Sequence, residues 1–160
     1  MKKDTVEACA SIDSTLEAVW NAVSRPERIF PASTLKTIRF EESTENGITV
    51  YHTLIPTHEG GDLRRGSTMS VVASQPNKSI TWLQVGNIGR RHFNSRIEST
   101  PNGVELRTAV TSEYSGAFTQ FLFGTFPGWL RLIFRTNNMA QNYVKNVAEH
   151  CSAKFEAINT

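Results

Sequence analysis

The sequence predicts an α+β fold in which a curved seven-stranded antiparallel sheet wraps around a long C-terminal helix, with two short helices after the first strand. Three observations predict it. Leu130, Ile133, Phe134, Ala140, Val144, Val147, Ala148, Cys151, Phe155 and Ile158 recur at three- and four-residue spacing, as on a helix that buries one face. Upstream, short segments alternate apolar and polar residues between turn signals, as strands do. One such segment and two capped helical patterns precede six more strands. A helix from Pro127 to Ile158 would run roughly 45 Å at 1.5 Å per residue. It needs a broad partner, and the sheet supplies it.

Each element has its own signature. Val6, Ala8, Ala10 and Ile12 alternate with Glu7, Cys9, Ser11 and Asp13, a half-buried strand. Ser14-Thr15-Leu16-Glu17 reads as a capping box, with Ser14 and Glu17 meeting free amides. Leu16, Val19, Trp20 and Val23 then form a helical stripe. Ser24-Arg25-Pro26-Glu27 repeats the pattern, so a second short helix should end before Pro31. Strands follow at Thr37 to Glu42 and Ile48 to Ile55, joined by the turn signal Glu45-Asn46-Gly47. Pro56 to Gly66, with Gly60, Gly61 and Gly66, reads as a loop. Ser67 to Ser74 and Ser79 to Val85 meet at Gln75-Pro76-Asn77-Lys78, and His92 to Ser99 pairs with Val104 to Tyr114 across Thr100-Pro101-Asn102-Gly103. Six successive strands with short turns make a meander. One of its faces meets water and the terminal helix covers the other.

Composition narrows the function. The 160 residues suit one domain over 1–160, and 39% hydrophobic with 20% charged residues excludes a disordered chain. Seventeen basic against fifteen acidic residues, with no long basic run, argue against nucleic acid as a partner. Met1-Lys2-Lys3-Asp4 leads into a polar-alternating segment, so no signal peptide is expected. Cys9 and Cys151 read as free thiols, fitting a cytoplasmic protein. The segment Phe118 to Phe134 approaches the length of a membrane span. Gln120, Pro127, two glycines and Arg131 interrupt it, so an integral membrane protein is not expected.

The passage VEACASI, DSTLEAVWNAV and SRPERI, then six strands and a helix entered through GTFPGWLRLIF, resembles the START/pollen-allergen superfamily, also called SRPBCC, and within it the polyketide cyclase/dehydrase-like branch. The resemblance spans nearly the whole chain and is most specific over Val6 to Arg28. It implies the helix-grip fold, with a hydrophobic cavity between sheet and helix. It implies a lipid, steroid, polyketide or hormone as ligand, with cyclisation or dehydration in some members. The superfamily has no universal catalytic motif, so no catalytic residue is transferred.

The residues themselves suggest where a ligand sits. Pockets of this kind are mostly apolar with a few convergent polar groups. Alternation puts Val50, His52 and Leu54 on one face with Ile48, aiming His52 inward. It puts Val110 and Tyr114 on the inner row of the last strand, and favours Trp82 and Gln84 inward. Phe121, Phe126, Trp129 and Phe134 would line the helix side and the mouth. His52 would then serve as general base or hydrogen-bond partner, or stand as a neutral core histidine. Tyr114 would polarise a carbonyl, or simply pack. His52, His58, His92 and His150 form no metal motif, no cofactor loop is present, and Glu7, Glu41, Glu98, Glu105 and Glu113 fall on the solvated face. The leading reading is a monomer or homodimer binding a small hydrophobic ligand. A cyclase/dehydrase-type enzyme and a protein- or membrane-interaction module using 118–134 are the alternatives.

Overall fold

A computed structural model describes residues 2–30, 35–58, 61–87, 89–114, 116 and 139–152. Strand β1 (Lys2–Ile12) is followed by helix α1 (Leu16–Val23) and a 3-10 turn (Pro26–Ile29). Then come β2 (Arg39–Glu45), β3 (Ile48–Pro56), β4 (Leu63–Gln75), β5 (Ser79–Gly86), β6 (Gly89–Thr100) and β7 (Gly103–Tyr114). Helix α2 covers 139–152. The rest of the expected terminal helix, 127–138 and 153–158, lies outside the described residues, as do Phe118–Phe134.

The strands form one seven-stranded antiparallel sheet in the order β1-β7-β6-β5-β4-β3-β2. β1 pairs with β7 from Lys2↔Tyr114 to Ile12↔Val104, so β1 and β2 are the two edges. The chain must therefore cross the whole sheet between them, and α1 with the 3-10 turn makes that crossing. Eight residues are too few for a stable isolated helix. Burial of Val19, Ala22 and Val23 against the sheet holds α1 in place. The Trp82 indole on β5 donates to the Val23 carbonyl at 2.9 Å, closing the helix end.

Helix α2 lies on the same face. Tyr143 packs on Phe93 of β6, with ring centroids 5.8 Å apart. One turn further on, Asn146 Nδ2 donates to the carbonyls of Arg28 (3.3 Å) and Phe30 (2.8 Å). α2 thus runs from the level of Phe93 toward the 3-10 turn. The core between the layers includes Met69, Trp82, Phe93, Leu106, Val110 and Val147. The ladder shifts register between His52 and Leu54 in β3–β4 and between Val71 and Ala73 in β4–β5. Such irregularities bend and twist a sheet, which supplies its curvature.

Three local expectations shift. The N-cap of α1 is Thr15, whose hydroxyl accepts from the Ala18 amide at 3.2 Å; the Ser14 amide instead turns back to the Ile12 carbonyl at 2.9 Å. The second short helix is the single 3-10 turn, and no side chain caps it. The loop read over Pro56 to Gly66 shrinks, because β3 runs to Pro56 and β4 starts at Leu63, with the Thr57 amide bonded to the Asp62 carbonyl at 3.0 Å. Among the described residues no helix is long and apolar enough to cross a membrane.

Candidate functional site

The sheet face toward α1 and α2 is the inner face, and the strand period of two selects its residues. On β7, Val104, Leu106, Thr108, Val110, Ser112 and Tyr114 are all buried, as their alternation predicts. Register carries the set across the sheet, because directly opposed residues share a face. Val110 opposes Phe93, which opposes Trp82, and Trp82 opposes Val71. Thr108 opposes Ser95, and their hydroxyls lie 3.0 Å apart.

Beside this apolar centre a row of polar side chains crosses five strands. Thr53 on β3 donates to the Ser67 carbonyl on β4 (2.9 Å), and its hydroxyl lies 3.3 Å from the Ser67 hydroxyl. Gln84 Nε2 on β5 donates to Ser67 Oγ at 3.1 Å. Arg91 Nη1 on β6 reaches Gln84 Oε1 at 3.5 Å. Ser112 on β7 opposes Arg91; it is fully buried and its hydroxyl has no partner among the described residues. A hollow of about 40 Å³ lies beside the row, lined by Ser67, Gln84, Gly86, Gly89, Arg90, Arg91, Glu113 and Tyr114. That is the size of a functional group, not of a whole molecule. Two larger hollows, about 530 and 580 Å³, lie elsewhere. One is on the outer face beside Glu7, Cys9, Arg96 and Arg107, and the other is between Arg25, Glu27, Arg28 and His150. Charged side chains line all three, so none of the three matches the mostly apolar pocket expected.

Trp82, Val110 and Tyr114 are on the inner face, as read from the sequence. Trp82 is spent on the α1 carbonyl. Phe121, Phe126, Trp129 and Phe134 lie outside the described residues.

Val50, His52 and Leu54 are on the outer face, which corrects the inward placement. The inner residues of β3 are Tyr51, whose ring lies 5.9 Å from Trp82, and Thr53. His52 opposes Glu41, and Glu41 pairs with Arg65 in an exposed ion pair at 3.3 Å. His52 is nonetheless buried, 5% exposed, because β2 side chains close over it. Its Nε2 lies 3.1 Å from both Ser43 Oγ and Glu45 Oε1. A carboxylate oxygen accepts, so Nε2 donates to Glu45. Nδ1 is buried and has no partner among the described residues.

Arg91 is the residue that sequence reading missed. Its signal lay in the β5–β6 connection: with Gly86 opposite Gly89, Arg91 must oppose Gln84. Tyr143 of α2 is a further buried polar residue of the inner layer. Burial pushes its phenol up to about 12, and the neighbouring Ser95 hydroxyl only partly offsets this.

No family model matches the sequence, and no curated protein matches it. Solved structures do match in fold. The Zhui aromatase/cyclase from Streptomyces sp. R1128 superposes with a TM-score of 0.68 at 15% identity, over 96% of both chains. Ara h 8.0201 gives 0.64 at 14%, over 95% of this chain and 99% of that one. The di-domain ARO/CYC StfQ from the steffimycin biosynthetic pathway gives 0.64 at 12%; the match takes in 96% of this chain and 52% of StfQ, so this chain spans about half its length. Likeness at such identity speaks to architecture alone. With the seven-stranded sheet and the helices packed on its inner face, it shows that this chain has the helix-grip fold, the one implied by its resemblance to the START/pollen-allergen superfamily.

Proposed function

We propose that the chain binds a small apolar or aromatic molecule between the inner face of the sheet and α2. The observation that supports this best is the inner face itself. Aliphatic and aromatic side chains cover its centre, and one row of polar groups crosses beside it. A few convergent polar groups beside an apolar wall are the usual make-up of a ligand pocket. The cyclisation or dehydration alternative loses its base, because His52 faces outward behind Ser43 and Glu45. Of the two residues that alternative invoked, Tyr114 alone is on the inner face, so binding is the better reading.

The test is thermal unfolding with a panel of fatty acids, steroids and flavonoids, alongside native mass spectrometry of the purified protein. A fitting ligand at a hundredfold excess over its Kd stabilises by about 2.7 kcal/mol, or roughly 5–10 °C in Tm for a chain of this length. Filling the centre with Val110→Phe should abolish the shift. Failure of every compound to move Tm, with no co-purifying guest, overturns the reading.

A further inference from the structure

We propose that the hollow of about 580 Å³ beside the 3-10 turn and α2 is a second binding site, and that it takes a free α-amino acid with an apolar side chain. Met69, Val110 and Ala140 do not line it, so it stands independently of the inner-face guest. Its volume suits a small molecule. Its walls are tied together. Asn146 of α2 donates to the carbonyls of Arg28 and Phe30, and the Phe30 ring packs edge-on against Phe40 of β2 with centroids 5.8 Å apart. The buried Pro26 fixes the start of the turn. The site is therefore formed before a ligand arrives.

The charges on these walls are not compensated. Arg25, Glu27 and Arg28 line the hollow, and none of them has a side-chain hydrogen bond or ion pair among the described residues. Glu27 Oε2, Arg28 Nε and, at the end of α1, Ser24 Oγ are buried with no partner among those residues. Such atoms are destabilising, and a ligand group that pairs with them removes the penalty. The Arg28 amide closes the turn on the Arg25 carbonyl at 3.3 Å. Side chains three apart in a 3-10 turn eclipse, so both guanidiniums leave on one side and Glu27 on another. A simple anion would meet the guanidiniums but also the Glu27 carboxylate, and a simple cation would meet the reverse. A zwitterion satisfies both. Its carboxylate matches the guanidinium forks and its ammonium matches Glu27. The remaining wall is apolar, with Leu35, the buried Ile38 and Phe40 placed to cover a hydrophobic side chain. His150, the other titratable group on the wall, already interacts with another group, and Asn21 is exposed to solvent, so the site is built without them. Glu42, the next acid along β2, does not line the hollow.

The probes are leucine, phenylalanine and tryptophan, each with the deaminated acid and the decarboxylated amine of its own skeleton. Calorimetric titration near neutral pH is run on the wild type, Glu27→Gln and Arg28→Gln. At least one amino acid should bind the wild type, about tenfold or more tighter than its acid or its amine, the scale of one charge-assisted contact. Glu27→Gln should bring that amino acid and its acid within about twofold of each other. Arg28→Gln should weaken the amino acid and the acid and spare the amine. Where either variant fails to fold, Arg25→Gln, at an exposed position, should show the same selective loss for amino acid and acid. Binding of none of the three amino acids overturns the site. An acid or an amine that binds as tightly as its parent amino acid overturns the zwitterion, as does a full preference kept by Glu27→Gln.

Discussion

The hydroxyl of Ser112 is buried on the inner face and without a hydrogen bond among the described residues. A buried hydroxyl left unpaired costs roughly 1–3 kcal/mol. Ser112→Ala should therefore leave the unliganded protein as stable or up to about 1 kcal/mol more stable in urea unfolding. A clear loss would mean that the hydroxyl is paired. Tyr143 gives a pH signature. Its folded value of about 12 lies above the ordinary 10.0. Between those limits the unfolded chain has lost a proton that the folded chain keeps. Stability then falls as pH rises, by about 1.4 kcal/mol per unit. The wild type minus Tyr143→Phe difference in unfolding free energy should show that slope above pH 10 and none below. A flat difference contradicts the burial. His52 shows where reading at this scale fails. β3 carries apolar residues at both parities, Ile48, Val50 and Leu54 against Tyr51 and Ile55, so alternation alone cannot choose its face. The answer lay one strand away. The Asn46-Gly47 turn, with φ of 51° and 77°, fixes Glu45 opposite Ile48. That sets Glu41, Ser43 and Glu45 on the face of His52 and marks it as the outer one.

Elements were legible in proportion to how local their signals are. The hairpins at Asn46-Gly47 and Thr100-Gly103 form as read, and β7 keeps the face its alternation assigns. The N-cap moved by one residue because Ser14 and Thr15 are both competent and only tertiary contact chooses between them. The second helix shortened to a 3-10 turn because it is held from outside. Its closing carbonyls, Arg28 and Phe30, are taken by Asn146 from α2, more than a hundred residues away. No local pattern encodes that contact. Asn146→Ala should cost about 1–2 kcal/mol in unfolding free energy and speed amide exchange over 27–30. Unchanged exchange there would show that the turn holds without the helix. The polar row was legible in pieces, Gln84 and Ser112 by alternation. Arg91 joins it only once β5 and β6 are in register.

At the scale of the molecule, β1 and β2 at opposite edges force a crossing segment onto the inner face, and α2 packs on that same face. That arrangement was readable in advance from element order and the terminal apolar row. The contents of the space were less so, since they depend on strand parity and on which side chains meet across it. A guest bound as proposed lies against Met69, Val110 and Ala140 and away from Val50 and Leu54. Methyl-resolved NMR titration with 2-naphthoic acid and dodecanoic acid measures this most directly. Saturable shifts at the Met69, Val110 and Ala140 methyls, with Val50 and Leu54 unmoved, are the predicted result. Shifts confined to Val50 and Leu54, or none at any methyl, would contradict it.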